Sequence, residues 1–529
     1  MPKVLFIIVL ILISGIALFP QEKSKQNESL IPAEIQAILL EAGTLQPELT
    51  IDVYLKVISS GKIESKTKRK QLLEEIFYLS YNSKEKIRRK VIAFSGAVLT
   101  FRPTFISYAQ ENKLDALSLK VRIISEMMKI DRNRAFELFN EISPDLSLKP
   151  LSCQDFLMYE ISDFYNLVGE VAKNSFTQEQ IKQGRRITFL SSFVENITSS
   201  AQLSPIAKML SSIDLTDDEK LNIVGSFNKS IRKISGDDRS FSYEMNFGET
   251  NKVVYYFSKK LFFGTALYDE FLKSYKDYLV KNLQGTRCQD NINFEKRNGK
   301  TLYGNENVTS SIKIPSYIYD ANNYFYKDLP IAIDETKPYK IETTTFPVEY
   351  YTSPKASQIY SKLRKLRNWQ EKEKTISEIR ESLKWQETFS NLLEEIDEWE
   401  KADNESEIDL FHQKSLIYRL LLREAPSIAL RERIVKKYLK LLNQNEIQKD
   451  FVSEWFLEFN DLRKEIGGIK DILQQERLSN IVKNTNNSII HVYLELEKLL
   501  KLEKSNLIRS KSIFYLGVFV PISIFCENK

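Results

Sequence analysis

Apolar side chains recur every three to four residues through two long stretches of this chain, Pro32 to about Gln284 and Ala356 to Leu502. This spacing lines one face of an α-helix with apolar groups, and such a face must pack against another element. Helix breakers are sparse, since the 529 residues include only 16 Gly and 15 Pro. The sequence therefore predicts a mostly α fold of stacked helical hairpins, either an α-solenoid or an irregular helical bundle.

Helix start signals fall where this periodicity begins. Asp131 is expected to cap a helix over Arg132–Ile142, directly after a helix over Asn112–Ile130. Capping boxes pair a Ser or Thr with an acceptor three residues later. They are predicted at Ser152/Asp155, Thr177/Gln180 and Thr216/Glu219.

The helix pairs repeat about every 30 to 40 residues, a length typical of stacked helical repeats. In pattern they resemble tetratricopeptide or HEAT arrays. Ala135 and Phe139 match the second tetratricopeptide helix, but the Trp, Leu, Gly and Tyr expected in the first helix are absent. The choice between a true repeat and an irregular bundle stays open.

Residues 286–355 interrupt the helical pattern with five prolines and many Asn, Thr and Tyr residues. Ser311–Tyr319 and Tyr339–Thr345 alternate in polarity and are compatible with short strands.

Along the whole chain, we expect a signal peptide or anchor over residues 1–21 and helical domains over 30–285 and 356–505. The irregular region connects these domains, and a hydrophobic tail follows at 506–529. Predicted helices in the second domain include Ser377–Trp399, Ile408–Arg423, Leu430–Asn443 and Phe451–Lys464.

The N-terminus has the plan of a secretory signal peptide. Lys3 precedes the apolar run Val4–Phe19, and Gly15 and Ala17 suit cleavage after Ala17. The run is shorter than the roughly 20 residues that cross a bilayer comfortably. We expect export to the periplasm or the exterior with cleavage, while a retained N-terminal anchor is the alternative.

A second apolar run, Ile513–Cys526, lies near the C-terminus and is also too short to span a bilayer. It is expected to be a buried or surface-associated tail, with a membrane-interface segment as the alternative. Cys153 and Cys288 either pair as a disulfide or remain buried thiols, because their spacing does not decide between these outcomes.

Motifs of familiar enzyme classes are absent from the sequence, and only His412 and His491 could serve as imidazole ligands or bases. Both are expected to be structural or surface residues. The acidic stretch Glu394–Asp409 could bind a divalent cation, but a solvated helix end explains it equally well. We predict no catalytic, cofactor-binding or metal-binding residues and no cofactor.

The charged residues are nearly balanced, with 76 basic and 71 acidic side chains, so no nucleic-acid partner is expected. Basic clusters at Lys66–Lys70 and Lys84–Lys90 could attract anionic lipid, nucleic acid or cell-wall polymer, although a solvated face is the favoured interpretation. The aromatic stretches Phe241–Phe263 and Tyr317–Tyr326 are expected to be core rather than ligand platforms.

Three short segments resemble parts of exported bacterial helical proteins of no assigned function. They are FHQK at Phe411–Lys414, ALRERIVKKYL from Ala429 and SEWFLEF from Ser453. The resemblance implies a helical fold and export but no activity.

The sequence thus predicts an exported interaction or scaffold protein that binds a protein or peptide through a helical surface. One alternative is an envelope hydrolase or glycan-acting enzyme using carboxylates such as Asp397, Glu398 or Asp409. Another is a membrane-anchored structural protein, attached through the N-terminal segment or the C-terminal tail.

Overall fold

The computed structural model describes residues 31–83, 108–142, 161–236, 238, 266–284, 294–296, 324–326, 339–341, 348–350, 354–370, 374–401, 407–445 and 452–500. In these ranges the chain is mostly α-helical, as the apolar spacing predicts. The signal segment, the three cysteines, the Lys84–Lys90 cluster, the Phe241–Phe263 stretch and the apolar tail lie outside the described residues.

The first stretch forms helices α1 to α12, with single 3-10 turns at Ser80–Asn82 and Ser200–Gln202. Their bounds are α1 Ala33–Ala42, α2 Pro47–Ser59, α3 Lys66–Leu79, α4 Tyr108–Glu111, α5 Ala116–Met128, α6 Arg132–Asn140, α7 Ser162–Asn174, α8 Gln178–Lys182, α9 Arg185–Glu195, α10 Leu203–Ser211, α11 Asp217–Lys233 and α12 Ala266–Gln284.

The second stretch forms helices α13 to α20. Their bounds are α13 Pro354–Arg367, α14 Ile376–Glu381, α15 Leu383–Asp397, α16 Glu407–Glu424, α17 Ile428–Asn445, α18 Val452–Gly467, α19 Ile472–Lys483 and α20 Ser488–Leu500.

Between these stretches, the described residues form four three-residue strands, β1 (Phe294–Lys296), β2 (Tyr324–Tyr326), β3 (Tyr339–Ile341) and β4 (Val348–Tyr350). β1 pairs antiparallel with β2, and β3 pairs antiparallel with β4. β3 lies inside the predicted segment Tyr339–Thr345, whereas Ser311–Tyr319 lies outside the described residues.

Capping signals in the sequence set several helix starts. The predicted capping boxes at Thr177/Gln180 and Thr216/Glu219 are both formed, and the side chain of Asp131 accepts a hydrogen bond from the backbone N–H of Arg134 in the first turn of α6. The box at Ser152/Asp155 lies outside the described residues. Side-chain oxygens at these positions satisfy backbone donors that the first turn leaves without partners.

Two predicted helix bounds are wrong. Ser377–Trp399 is two helices, because Ser382 is extended (φ −66°, ψ 139°) and its hydroxyl caps α15 by accepting from the backbone of Trp385. The helix expected from Asn112 begins only at Ala116, because Lys113 has a left-handed φ of 56° and Asp115 caps the start of α5. In both places the apolar period continues across the break, so periodicity does not reveal it.

Helices α16 to α19 pack in two parallel pairs, α16 with α18 and α17 with α19. α16 packs on α17, α18 packs on α19, and α16 also packs on α18. Arg419 pairs with Asp461 and Arg423 with Glu465, both 42 positions apart, so α16 and α18 run parallel. The hydrogen bonds from Arg431 to Gln474 and from Asn443 to Thr485, 43 and 42 positions apart, place α17 parallel to α19 in the same way.

The first and last described helices also pack together. α20 contacts α1 and α2, and α4 contacts α18. The hydrophobic core is correspondingly shared, since buried side chains of both stretches belong to one cluster. The two predicted helical segments are therefore in direct contact, although some 70 residues of a different pattern separate them in sequence.

Candidate functional site

Four helices bring aromatic and charged side chains together around His412. His412 lies on α16, Glu458 on the neighbouring α18, Tyr438 on α17 and Tyr108 on the short helix α4. We call this group the His412 cluster, and it also includes Arg419, about two helical turns further along α16. Each residue occupies a helix face turned toward the next helix, which is why positions far apart in sequence meet.

A single buried carboxylate links the polar members of the His412 cluster. Oε1 of Glu458 lies 2.8 Å from Nδ1 of His412, and Oε2 accepts a 2.8 Å hydrogen bond from the hydroxyl of Tyr438. The guanidinium of Arg419 lies 3.3 Å from Oε2 of Glu458 and also pairs with Asp461. Both oxygens of the buried Glu458 are therefore engaged, as burial of a charge requires.

The charges in this cluster determine which groups ionise. Burial by itself would raise the pKa of Glu458, but Arg419, His412 and Tyr438 hold it below its ordinary value. Burial raises the pKa of the Tyr438 hydroxyl well above its ordinary value, and the adjacent Glu458 carboxylate raises it further. Glu458 is therefore an anion, and Tyr438 is a neutral hydrogen-bond donor.

Tyr108 covers the imidazole. Its ring stacks on His412 with centroids 4.5 Å apart and an angle of 5° between the planes. Four residues later, the side-chain amide of Asn112 donates a 3.1 Å hydrogen bond to the backbone carbonyl of Ser453 on α18. A segment from another part of the chain is thus held on α16 and α18 by one aromatic ring and one amide.

The chemistry open to His412 follows from these contacts. An imidazole oriented by a carboxylate resembles the base pair of many hydrolytic sites. Here, however, Nε2 is buried and makes no hydrogen bond within the described residues, and Tyr108 covers the ring. In this arrangement the cluster binds and orients a polypeptide segment, and it presents no exposed base to a substrate.

A second buried charge cluster joins α20 to α2. Asp52 accepts a 2.7 Å hydrogen bond from the hydroxyl of Tyr493 and pairs with Arg122 at 2.7 Å and Lys56 at 2.6 Å. Lys56 also lies 4.6 Å from the centroid of the Tyr493 ring. Burial would raise the pKa of Asp52, but Lys56 and Arg122 together hold it far below its ordinary value.

Of the carboxylates proposed for a hydrolase, Asp397 is held in ion pairs, whereas Glu398 is exposed at the C-terminal end of α15. Oδ2 of Asp397 lies 3.0 Å from Nζ of Lys437 and 3.4 Å from Nζ of Lys440, and Lys437 also pairs with Glu394 at 3.1 Å. These bases hold the pKa of Asp397 below its ordinary value against the effect of burial. The side chain of Asp409 lies outside the description. Within the described ranges, no three His, Cys, Asp or Glu residues are grouped to hold a metal ion.

His491, expected to be structural or exposed, pairs through Nδ1 with Glu41 of α1 at 2.8 Å. Tyr108, Asn112, Asp52 and Tyr493 were not singled out in the sequence. A buried Asp within a strongly apolar helix, as at Asp52 in TIDVYL, is the signal that could have identified a paired charge. Tyr108 and Asn112 carry no comparable signal, because their partners lie more than 300 positions away.

No protein family, curated protein or solved structure matches this chain. Among the described residues, none of the helices combines the length and the apolar character that crossing a bilayer needs. The site must therefore be interpreted from its own geometry.

Proposed function

We propose that this protein is an exported helical scaffold that binds a protein or peptide partner along one face of its helices. The face is formed by α16 and α18 and carries His412, Arg419 and Arg423 opposite Glu458, Asp461 and Glu465. We call it the first-helix face, since α16 and α18 are the first members of their helix pairs. No reaction is assigned to it.

The observation that supports this proposal is the seating of the chain's own segment, Tyr108 to Asn112, on the first-helix face. Tyr108 stacks on His412, and Asn112 bonds to a backbone carbonyl of α18. A surface that holds one polypeptide segment through an aromatic ring and a side-chain amide has the chemistry to hold another. Aromatic anchors of this kind commonly dominate peptide recognition.

The first-helix face continues beyond the covered part. Arg419 and Arg423 follow His412 by seven and eleven residues, so all three lie in one stripe of α16. Whereas His412 is covered, the side chain of Arg423 is 58% exposed. Its pairing with Glu465 is therefore accessible to a partner that approaches along the stripe.

The finer architecture that we propose is a stacked array of helix pairs. The near-constant offset of 42 or 43 residues between paired side chains of α16 and α18, and again of α17 and α19, is the spacing expected of such an array. Stacked pairs build an extended surface from few long-range contacts, which suits a scaffold.

Export is proposed from the sequence plan of the N-terminus, Lys3 followed by the apolar run Val4–Phe19. N-terminal sequencing of the purified protein tests it. A new N-terminus near residues 18 to 22 supports processing of a signal peptide, and a cytosolic product with Met1 intact contradicts export.

Site-specific photo-crosslinking tests the binding face. A photoreactive residue would replace Arg423 on the first-helix face or Lys440 on α17, whose side chains are both 58% exposed. We expect one cross-linked partner from position 423 in cell-envelope extract and none from position 440.

The identified partner is then purified and its affinity measured directly. Arg423→Glu should weaken binding at least about tenfold, whereas Lys440→Glu should leave it unchanged, because only the first substitution reverses charge on the binding face. Cross-linking from both positions alike, or an unchanged affinity for Arg423→Glu, contradicts the proposal.

A further inference from the structure

The first and last described residues of the chain leave the helices at the same end. The hydroxyl of Tyr54 bonds to the carbonyl of Leu39, so α1 and α2 are antiparallel and the start of α1 lies beside the end of α2. Just beyond that end, Nζ of Lys62 donates a 2.5 Å hydrogen bond to the carbonyl of Leu499. Residues 31–33 and 499–500 are therefore neighbours.

Two further connections lie at this end. The loop before α6 adjoins the start of α3, because Lys70 pairs with Asp131 at 2.5 Å. The start of α19 lies here too, since α19 packs against α20 and a short turn at residues 484–487 joins them at the opposite end. We call this surface the terminal end, defined by residues 31–34, 60–68, 129–132, 468–473 and 498–500.

The terminal end combines exposed bases with exposed apolar side chains. Its exposed basic residues are Lys62, Lys66, Lys129, Arg132, Lys470 and Lys498, against the exposed acids Glu34, Glu64 and Asp471. Next to Lys470, the side chains of Ile472 and Leu473 are 67% and 72% exposed. Two large apolar side chains in water within a basic rim are the features of a surface that meets anionic lipid.

The sequence outside the described residues also indicates contact with anionic lipid. The second apolar run, Ile513–Cys526, begins 13 positions after Leu500. Between Leu500 and the second run, the chain carries Lys501, Lys504, Arg509 and Lys511 against a single acid, Glu503. A basic linker and an apolar run thus follow the terminal end in the sequence.

We infer that the terminal end is a membrane-docking surface, which lies on an anionic lipid bilayer with Ile472 and Leu473 entering the interface. The bases of the rim meet lipid phosphates while these two apolar side chains enter the bilayer, since stable attachment generally takes an apolar and an electrostatic signal together. This inference does not rest on the partner proposed above.

Vesicle co-sedimentation of the full chain tests the inference, with phosphatidylcholine vesicles compared with vesicles containing phosphatidylglycerol. We expect tighter binding to the anionic vesicles, weakened by salt as charge attraction is screened. The variant Lys66→Glu/Lys470→Glu should lower the partition coefficient at least about tenfold. Lys229→Glu/Lys436→Glu makes the same change of net charge at exposed lysines outside the terminal end and should bind like the wild type.

A second pair of variants, matched in the type of substitution, tests the apolar contribution to vesicle binding. Leu473→Ser should lower the partition coefficient about fivefold or more, whereas Leu40→Ser should not, because Leu40 is 78% exposed but lies at the opposite end of α1. Circular dichroism checks that each variant keeps its helix content. Equal effects within either pair, or equal binding to neutral and anionic vesicles, overturn the inference. Photo-crosslinking from position 423 should be unaffected by these variants, so the two proposals fail separately.

Discussion

The hydroxyl of Tyr493 donates a 2.7 Å hydrogen bond to Oδ2 of Asp52, a residue 441 positions earlier in the chain. Arg122 and Lys56 bind the same carboxylate, so a single buried charge connects α2, α5 and α20. Lys56 and Arg122 hold this carboxylate ionised, and Tyr493 adds a donor from α20 to the same buried anion.

Tyr493→Phe removes this donor without removing the ring. We expect a loss of about 1.5 to 3 kcal/mol in the free energy of unfolding, since the lost bond is to a charged acceptor. The measurement is equilibrium urea denaturation. Tyr54→Phe is the control, because Tyr54 donates a 3.3 Å bond to a neutral carbonyl and should cost about 1 kcal/mol or less. Equal losses in the two variants would argue against a charge-assisted bond.

Acid should weaken the fold in part through Asp52. Its pKa in the folded protein is far below the ordinary value of 3.8. The unfolded chain therefore takes up a proton where the folded chain does not, and the stabilisation is complete above about pH 5 and declines as the pH falls through the ordinary pKa. Urea midpoints between about pH 6 and 3 should fall less steeply for Asp52→Asn than for the wild type, even though the variant is less stable throughout. Parallel pH curves would show that Asp52 is not responsible.

Removal of Glu458 should be among the most damaging single changes in the second stretch. Glu458→Ala leaves the guanidinium of Arg419 and the imidazole of His412 without their shared buried anion, which typically costs about 3 to 5 kcal/mol. Asp461→Ala removes the other, more exposed partner of Arg419 and should cost about 1 kcal/mol or less. Denaturation of both variants by urea decides the point, and a larger loss for Asp461→Ala would contradict this account of the cluster.

Tyr108 and His412 should be energetically coupled. A double-mutant cycle with Tyr108→Leu and His412→Leu is expected to give a coupling of about 0.5 to 1.5 kcal/mol, because the stacked rings interact beyond their burial. A cycle of Tyr108→Leu with Arg423→Leu serves as the reference and should be additive, since Arg423 lies about three helical turns from His412. A coupling near zero in the first cycle would show that the stacking does not hold α4 in place.

Two glycines should respond to alanine in opposite directions. Gly184 has a φ of 76°, a left-handed conformation in which Gly184→Ala should cost about 1 to 2 kcal/mol. Gly225 lies within α11, and an added methyl group there meets no atom within 4 Å. Gly225→Ala should therefore stabilise the protein by about 1 kcal/mol through helix propensity. Thermal unfolding of the two variants gives the signs, and a stabilising Gly184→Ala would contradict the assigned backbone conformation.

Local chemistry made several features predictable. The N-caps Thr177, Thr216 and Asp131 bond to backbone groups three residues away, so a short window of sequence contains both partners. The break at Ser382 has the same chemistry, but the apolar period runs across it, so periodicity predicts one continuous helix there. α19 was not predicted, since it begins with two exposed apolar residues rather than a regular stripe.

The partners of the buried charges were not predictable in this way. Asp409 is one helical turn from His412 in sequence, yet the described partner of the imidazole is Glu458, on another helix. Only the position of α18 beside α16 supplies this partner.

The sequence by itself determined that this chain forms helices, roughly where many of them begin, and which faces are apolar, because those properties depend on residues within one or two turns. Only the tertiary structure decided that α20 packs on α1 and α2, that Tyr108 covers His412, and that Asp52 is held by three donors from different helices. Apolar faces attract one another with little directional preference, so many pairings of the same helices bury similar area. The choice among them depends on shape and on charges that meet only after the helices have packed.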